Sequence, residues 1–287
     1  MKHYTQQTEI TKQYIKQKIN EFILEDMPKG DITTEKTIKN SARSKANIQA
    51  CEKFVFVGEK IIPHFFNNQC NIDIKKKDGE FIKKNEIIGI VTGPSKEILK
   101  KERIMLNLIQ HLSGIATITR KMADRAKPYK IKILDTRKTT PGLRLLEKYS
   151  VKKGGGFNHR LNLSTGVLIK DNHLEASGGI TNAVKKIRNT GYKGIIELEI
   201  DTIEQAKEGI KNKICYFLLD NMQKEETKNV VNLIRKSKNG KNIFIESSGG
   251  INLKNMDQYL KTGINAISSG SITQTKKSPD IKLEFIQ

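Results

Sequence analysis

The sequence lacks the aromatic residues and the long apolar segments that are typical of several classes of protein. Tryptophan is absent and aromatic residues make up only 6% of the 287 residues, which leaves little for stacking on nucleic-acid bases. No apolar run approaches the ~20 residues of a membrane-spanning helix. The opening stretch, MKHYTQQTEITKQYIK, has no apolar segment of the kind found in signal peptides. We therefore expect neither a membrane span nor a secretory signal.

Cysteine and histidine are also sparse. Cys51, Cys70 and Cys215 are far apart and form no CxxC pair, and the histidines are scattered singly. These spacings exclude the usual structural zinc motifs and a disulfide framework. The sequence therefore indicates reduced thiols, which are typical of a cytoplasmic protein.

Charge, in contrast, is abundant and one-sided. The chain has 52 Lys and Arg against 31 Asp and Glu, which gives a net charge of +21. Such a charge favours salt-sensitive binding to polyanions, so a nucleic-acid-binding protein is one hypothesis. Lysine is spread along the whole chain, however, together with many isoleucines and asparagines, which indicates a general compositional bias. We therefore expect no specific nucleic-acid partner.

Hydrophobic periodicity divides the chain into two parts. An amphipathic helix is predicted for 8–26, and 43–93 show the short alternating runs of antiparallel strands, with a hairpin expected at Asp78–Gly79. A long helix is predicted for 95–127. Strands are then predicted at 131–134, 167–169, 195–200, 216–219, 243–245 and 266–268, and helices at 181–188, 203–209, 224–236 and 253–261. This alternation indicates parallel strands joined by crossover helices.

Polar residues follow nearly every one of these parallel strands. In a closed or nearly closed barrel such strand ends converge on one face, whereas in a doubly wound sheet they are strung along a line. We therefore predict an α/β fold in which residues 107–274 form an incomplete (β/α) barrel. Residues 1–106 are predicted to form an N-terminal antiparallel α+β sandwich domain, to which the tail, 275–287, returns as a strand.

The residues from Leu134 to His173 carry the most informative chemistry. In this stretch Lys and Arg outnumber Asp and Glu, and several of them directly follow the predicted buried strands. Arginine can hold a carboxylate or phosphate with two hydrogen bonds, and lysine acts as a point charge. The triple glycine Gly154–Gly156 lacks the spacing of a dinucleotide fingerprint. The stretch therefore predicts a site for a small polyanion.

Two further groups of residues end strands of the predicted barrel. Glu199 and Asp220 end adjacent strands, and carboxylates in such a place suit Mg²⁺, directly or through water, or ribose hydroxyls. Ser248–Gly250 and Ser269–Ser271 follow the last two strands, where glycine-containing loops commonly bind phosphate. These residues predict a sugar-phosphate and metal site beside the basic stretch.

The basic stretch contains DTRKTTPGLRLLEKY, GGGFNHR and LIKDNH, in this order. With GDITTE, ERIMLNLIQHLSGIATITR, ELEID, LLDNM and SSGGIN, these motifs resemble the quinolinate phosphoribosyltransferase family of NAD synthesis, over nearly the whole chain. The resemblance implies a cytoplasmic pentosyltransferase. Such an enzyme transfers phosphoribosyl from phosphoribosyl pyrophosphate to quinolinate with Mg²⁺, and releases nicotinate mononucleotide, pyrophosphate and CO₂.

The resemblance also implies roles for individual residues. Lys138, Lys170, Glu199 and Asp220 are the expected catalytic residues, with Glu199 and Asp220 at the metal. Substrate binding is expected of these four together with Arg103, Thr136, Arg137, His159, Arg160, Ser248, Gly249, Gly250, Ser269, Gly270 and Ser271.

Arg103 lies outside the predicted barrel, on the long helix. The resemblance implies that it reaches the substrate of a neighbouring subunit in a homodimer or in a hexamer of dimers, between which the sequence does not distinguish. Two positions depart from the family pattern, with Ile104 in place of Thr and Asn162 in place of Gly. The alternatives within this fold are a molybdenum-transport-associated relative, a non-catalytic ligand sensor and a transferase that accepts nicotinate.

Overall fold

The structure is a computed structural model that describes residues 4–66 and 68–286. Its elements are, in chain order, α1 (Lys12–Asp26), α2 (Ile32–Thr37), β1 (Arg43–Ala50), β2 (Phe54–Val55), β3 (Asn71–Ile74), β4 (Phe81–Ile82), β5 (Ile87–Pro94), α3 (Ser95–Ala126), β6 (Lys132–Leu134), α4 (Arg144–Lys153), β7 (Val167–Ile169), α5 (Asp171–Ser177), α6 (Ile180–Asn189), β8 (Ile196–Ile200), α7 (Ile203–Lys211), β9 (Tyr216–Asp220), α8 (Lys224–Lys236), β10 (Phe244–Ser248), β11 (Ala266–Ser268), α9 (Ser271–Gln274) and β12 (Ile281–Ile286).

The described residues form two compact units. The antiparallel unit comprises 7–66, 68–120, 145–155 and 276–286, and the barrel unit comprises 4–6, 121–144 and 156–275. The units divide within α3, after Arg120. The domain limits expected at 106 and 274 stay predictions.

In the antiparallel unit the chain's tail completes the main sheet. Its strand order is β12-β1-β5-β3, and β12 pairs antiparallel with β1, with Ile281 opposite Ala50. The predicted return of the tail as a strand is therefore confirmed. Gly114 of α3 allows the tail to approach, because a Cβ there would lie 2.7 Å from the Lys277 carbonyl oxygen.

The hairpin predicted at Asp78–Gly79 was wrong in its partners. A turn is present, but the strands on either side belong to different sheets: β3 pairs with β5, and β4 pairs with β2. The Asp78 carboxylate accepts hydrogen bonds from the backbone N–H groups of Gly58 and Glu59, and the Gly79 N–H donates to the Phe56 carbonyl. These bonds hold the turn on the segment after β2.

The barrel unit has one six-stranded, wholly parallel sheet. The order is β6-β11-β10-β9-β8-β7, so the first strand along the chain lies beside the last. That order is the one a barrel needs and a doubly wound sheet lacks. Because the ladder ends at β6 and β7 in the part of the chain that the structure describes, the predicted incomplete barrel is confirmed.

One of the helices predicted in the barrel was wrong. Residues 253–261 form turns around a short 3₁₀ segment, Met256–Gln258. The side chains of Asn252 and Asn255 accept hydrogen bonds from the backbone N–H groups of Lys254 and Asn252, respectively. Asparagine in such turns offers the backbone partners that compete with a helix.

Membrane insertion by a helix finds no support across 4–66 and 68–286, where every helix is too short or too polar to span a bilayer.

Candidate active site

A cleft of about 340 Å³ opens at the carboxyl ends of the parallel strands in the barrel unit. Its walls come from the strand ends and the loops that follow them. They are Thr136, Arg137, Lys138, His159, Arg160, Leu168, Lys170, Glu199, Leu218, Asp220, Asn221, Glu246, Ser248, Gly249, Gly250, Ile251, Ser268 and Gly270. Most of the residues that the sequence predicts for the site therefore lie around this one cleft.

Several wall residues were missed by sequence reasoning. Leu168 and Leu218 belong to strands predicted as buried, and Asn221, Ile251 and Ser268 lie beside predicted residues. Glu246 carried a usable signal. It precedes Ser248 by two residues on β10, and alternate residues of a strand share a face. The same periodicity placed Glu197 one layer below Glu199.

A buried carboxylate joins the two basic loops of the cleft. Asp135, at the end of β6, is fully buried, and it accepts hydrogen bonds from Asn158 Nδ2 at 2.6 Å and from the His159 backbone N–H at 2.9 Å. The DTRK and FNHR segments are therefore tied together below the cations that they carry. This explains why an acidic residue begins the otherwise basic DTRK motif.

Arg137 forms no ion pair with any carboxylate among the residues that the structure describes. Within the described residues its Nε atom is buried and has no hydrogen-bond partner. Burial and the nearby charges of Arg160 and Arg144 lower the pKa of Arg137. Burying a guanidinium nitrogen without a hydrogen-bond partner costs free energy, and binding of an anion would offset that cost. Arg137 therefore marks where a ligand carboxylate or phosphate would be stabilised most.

Arg160 and Lys138 flank Arg137 in different ways. Arg160 is almost fully buried, and its Nη1 donates to the Gly166 carbonyl at 3.0 Å. Lys138 is exposed, while its carbonyl accepts a 2.6 Å hydrogen bond from Thr273 Oγ1 and its N–H donates to Thr136 Oγ1. The backbone of Lys138 is thus held while its ammonium group faces the opening.

On the other side of the cleft an ion pair joins two predicted catalytic residues. Lys170 Nζ bonds to Glu199 Oε2. Burial raises the pKa of Glu199, Lys170 opposes that rise, and the Asp220 charge adds to it. The Lys170 backbone N–H donates to His173 Nδ1, which agrees with the supporting role expected of His173.

Glu199 and Asp220 have the chemistry that a divalent cation needs. Both line the cleft, and the negative charge of Asp220 contributes to the raised pKa of Glu199. A cation between them would relieve that repulsion, and Mg²⁺ typically takes one or two carboxylates together with substrate oxygens and water. The residues present therefore fit the expected ion.

The two glycine-containing loops differ in how they meet the cleft. Ser248, Gly249 and Gly250 line it, and Gly249 has a φ of +91°. The hydroxyls of Ser269 and Ser271 instead bond to each other at 2.7 Å and to the Ile251 carbonyl. These hydroxyls hold the two loops together, and Gly270 lines the cleft, while the direct contact of Ser269 and Ser271 with substrate stays a prediction.

At the floor of the cleft lies a buried group of three residues, of which His159 and Glu246 line the cleft and Glu197 lies behind them. His159 Nε2 is 3.0 Å from Glu197 Oε2 and 3.9 Å from Glu246 Oε1. Their ligand atoms are close enough to one another for a metal ion. However, the Tyr4 hydroxyl already donates to Glu197 Oε2 at 2.8 Å, and Arg160 lies nearby. This group is therefore better explained as a hydrogen-bonded support for the cleft, which is the pairing role expected of Glu197.

Glu246 yields a prediction about stability. Burial raises its pKa to about 7, from the ordinary 4.5, and the nearby charges of Glu197 and Asp135 add to the rise. Because the fold favours the protonated form, native stability falls as pH rises from 4.5 towards 7. We expect Glu246→Gln, which stays neutral, to raise the free energy of unfolding by up to about 3 kcal/mol near pH ~8, and much less near pH ~4.5.

Urea unfolding at both pH values would test this effect. The exposed Glu204→Gln serves as the matched control, since Glu204 forms only a 3.7 Å surface pair with Lys207. An equal gain for Glu246→Gln at the two pH values, or none at either, would contradict the assignment.

The remaining predicted residues lie elsewhere. Arg103 belongs to the antiparallel unit, where its side chain is exposed and has no hydrogen bond or ion pair with any described residue. His111 pairs with Glu147 at 2.8 Å, consistent with the structural role expected of it. His64 is half-buried, and His3 lies outside the described residues.

Comparisons with known proteins agree with the motifs. The family models for the N-terminal and C-terminal domains of quinolinate phosphoribosyl transferase match residues 31–113 and 115–284. A probable carboxylating nicotinate-nucleotide pyrophosphorylase of Bacillus subtilis is 41% identical, over 94% of this chain and 93% of that protein. One from Methanothermobacter thermautotrophicus is 36% identical, over 93% and 97%.

Solved structures show the same likeness. The nicotinate-nucleotide pyrophosphorylase of Ehrlichia chaffeensis superimposes with a TM-score of 0.90 at 38% identity and covers 97% of this chain and 100% of that one. The enzyme of Francisella tularensis gives 0.91 at 32% identity, with coverage of 98% and 99%. The two family models together match most of the chain, and a relative is 41% identical over 94% of it. The chain therefore belongs to the quinolinate phosphoribosyl transferase family.

Proposed function

We propose that the protein transfers the phosphoribosyl group of phosphoribosyl pyrophosphate to quinolinate, with loss of CO₂, to give nicotinate mononucleotide and pyrophosphate. The observation that carries the proposal is that Arg137 Nε is buried and has no hydrogen-bond partner in the described part of the chain, in a cleft that also has two carboxylates at strand ends. The family membership and the names of the relatives support it. The cytoplasmic location stays a prediction.

Quinolinate is a pyridine with two carboxylates, so its site must supply several cations. The barrel unit would supply them from three segments: Arg137 and Lys138 from the loop after β6, Arg160 from the segment before β7, and Lys170 from the end of β7. Arginine can bind each carboxylate through two parallel hydrogen bonds. His159 was expected to add a further charge, but its Nδ1 accepts the Arg160 backbone N–H, which indicates a neutral ring.

The sugar-phosphate would occupy the opposite part of the cleft. Ser248, Gly249, Gly250 and Gly270 line it there and could offer backbone N–H groups to the 5′-phosphate. Glu199 and Asp220 would bind the ribose hydroxyls and hold Mg²⁺, directly or through water. The ion would neutralise charge on the pyrophosphate group.

Two chemical steps then follow from this arrangement. In the first, the pyridine nitrogen forms a bond to the anomeric carbon as the bond to pyrophosphate breaks, and the electron pair leaves with pyrophosphate. Glu199 and Asp220 would stabilise the developing positive charge on the sugar, and Lys138 and Lys170 the charge on the departing group. In the second, the carboxylate next to the ring nitrogen leaves as CO₂, and a proton takes its place. The cationic, water-poor pocket would lower the barrier to this step.

A turnover assay tests the proposal. The protein, Mg²⁺, phosphoribosyl pyrophosphate and quinolinate should yield nicotinate mononucleotide and CO₂ in equal amounts. Nicotinate offered in place of quinolinate is the control for a non-carboxylating transferase. Product from nicotinate alone would reassign the substrate, and turnover of neither would overturn the proposal in favour of a ligand sensor.

The metal proposal makes its own prediction. Glu199→Gln and Asp220→Asn keep the size of each side chain and remove one negative charge. Each should raise the Mg²⁺ concentration that gives half-maximal activity by ~10-fold or more, because a hard cation prefers charged oxygen ligands. Titration with Mg²⁺ at saturating substrate measures this, with the exposed Asp201→Asn as the control. An unchanged requirement in both variants would show that the ion is held by substrate alone.

Arg103 supports a second part of the proposal, an oligomer with a shared site. Its guanidinium group is exposed and unpaired within 4–66 and 68–286, and it would complete the quinolinate pocket of a neighbouring subunit. Inactive Arg103→Ala and inactive Lys170→Ala proteins, when mixed and allowed to exchange subunits, should then recover up to ~25% of wild-type activity, because each mixed dimer has one intact pocket. No recovery after demonstrated exchange would mean that each subunit supplies its own Arg103.

A further inference from the structure

The segment that precedes the antiparallel unit belongs to the barrel unit and contacts its basic loop. Gln6 Nε2 donates to the Asn158 carbonyl at 3.0 Å, and the Asn158 backbone N–H donates to Gln6 Oε1 at 2.9 Å. The Tyr4 ring stacks on the His159 ring, with centroids 4.7 Å apart. Residues 4–6 therefore clasp the loop that carries His159 and Arg160.

The hydrogen bonds of His159 define what the Tyr4 hydroxyl does. His159 Nδ1 accepts the Arg160 backbone N–H at 2.8 Å, so that nitrogen carries no proton. The proton must then be on Nε2, which is 3.0 Å from Glu197 Oε2, a close polar contact that is not aligned as a hydrogen bond. The same carboxylate oxygen accepts the Tyr4 hydroxyl at 2.8 Å. Tyr4 and His159 thus converge on one buried carboxylate.

The charges around this carboxylate agree with the arrangement. The buried Glu197 carboxylate accepts the Tyr4 hydroxyl, and the positive charge of Arg160 lies close to it. Burial and the Glu197 charge raise the pKa of Tyr4, so its hydroxyl stays a donor. The other groups that face the ring and its loop are Glu246 and Asp135.

Arg160 is the cleft residue that depends on these contacts. Its backbone N–H is held by the His159 ring, and its Nη1 is held by the Gly166 carbonyl. The Tyr4 ring also covers Gly166, where an added Cβ would lie 2.6 Å from Tyr4 Cε1. Tyr4 therefore touches both groups that anchor Arg160, yet it does not line the cleft.

We infer that Tyr4 is a positioning residue, which acts through Glu197 and His159 to hold Arg160 at the angle needed to bind a substrate carboxylate. The inference rests on the proposed function for its substrate, quinolinate. In this arrangement the His159 imidazole is neutral and contacts both Glu197 and the backbone of Arg160.

Tyr4→Phe is the sharpest test because it keeps the ring and removes only the hydroxyl. We expect its KM for quinolinate to rise about tenfold with kcat little changed, the size expected for a lost hydrogen bond to a charged group. In the ligand-free protein, the ¹⁵N imidazole signals of His159 should show the Nε2–H tautomer, and they should shift in Tyr4→Phe. Tyr192→Phe is the matched control, since its hydroxyl donates to the Ile195 carbonyl in the same unit at 3.2 Å.

The two readouts separate this inference from the proposed function. If wild-type protein turns over quinolinate but Tyr4→Phe matches it in KM and in the His159 signals, the inference is overturned. If wild-type protein does not turn over quinolinate, the proposed function fails. The ¹⁵N signals of His159 in the ligand-free protein still decide whether Tyr4 holds the His159 ring. Gln6→Ala, which releases the same segment from Asn158, should shift the KM in the same direction if Tyr4→Phe does not fold.

Discussion

Arg137→Gln should remove most of the activity and leave the protein at least as stable as before. Among the described residues, Arg137 Nε is buried without a partner, and Arg160 and Arg144 repel its charge. The ligand-free fold therefore gains little from this guanidinium group, and a neutral amide relieves the repulsion. We expect kcat/KM for quinolinate to fall by ~100- to 1,000-fold, which is typical when a charged contact to a bound or developing anion is lost.

Steady-state kinetics and urea unfolding of the same preparation measure the two effects. Arg188→Gln is the control, because Arg188 is exposed on α6 and donates to the Asn212 carbonyl. It should leave kcat/KM unchanged. A large loss of stability in Arg137→Gln would mean that the guanidinium group has a structural partner, and unchanged kinetics would remove Arg137 from the substrate site.

Lys170→Gln should reduce kcat/KM by a similar ~100- to 1,000-fold and also move its pH dependence. Glu199 already has a raised pKa, from burial and from Asp220, and the Lys170 charge is what restrains the rise. Without that charge the carboxylate takes up a proton more readily, so its pKa rises further. Because the proposed mechanism needs ionised Glu199, the acid limb of the pH profile should move to higher pH.

A profile of kcat/KM against pH for wild type and variant tests this shift. Lys207→Gln is the matched control, because Lys207 forms an exposed 3.7 Å pair with Glu204, and such pairs contribute little. An acid limb at the same pH in Lys170→Gln would show that Glu199 does not need to be ionised, or that another cation restrains its pKa.

The strand-end residues were predictable because geometry follows from periodicity. The alternation of short apolar runs with amphipathic helices indicates parallel strands, and parallel strands in a barrel have their carboxyl ends on one face. Arg137, Lys170, Glu199 and Asp220 lie at the ends of such strands or shortly after them, so their common location could be predicted from the sequence. The structure places all four around one cleft.

Other features could not be predicted from local sequence. The turn at Asp78–Gly79 has the composition of a hairpin, but hydrogen bonds to Gly58 and Glu59, far away in the chain, decide which strands follow it. Ser269 and Ser271 have the composition of a phosphate loop, but their hydroxyls turn to the Ile251 carbonyl. In both cases a distant backbone group competes successfully for a polar side chain.

The sequence alone determined the family, the alternation of strands and helices, and the set of charged residues at the strand ends. These features follow from residue order, because the alternation of apolar and polar residues that marks a strand or a helix is visible within a few consecutive residues. Only the tertiary structure decided that Arg137 has a buried nitrogen with no hydrogen-bond partner among the described residues, that Glu246 lies in a place that raises its pKa to about 7, and that Tyr4 reaches Glu197. Each of these depends on which groups share a low-dielectric interior, and residues 193 positions apart in the chain can do so only after folding.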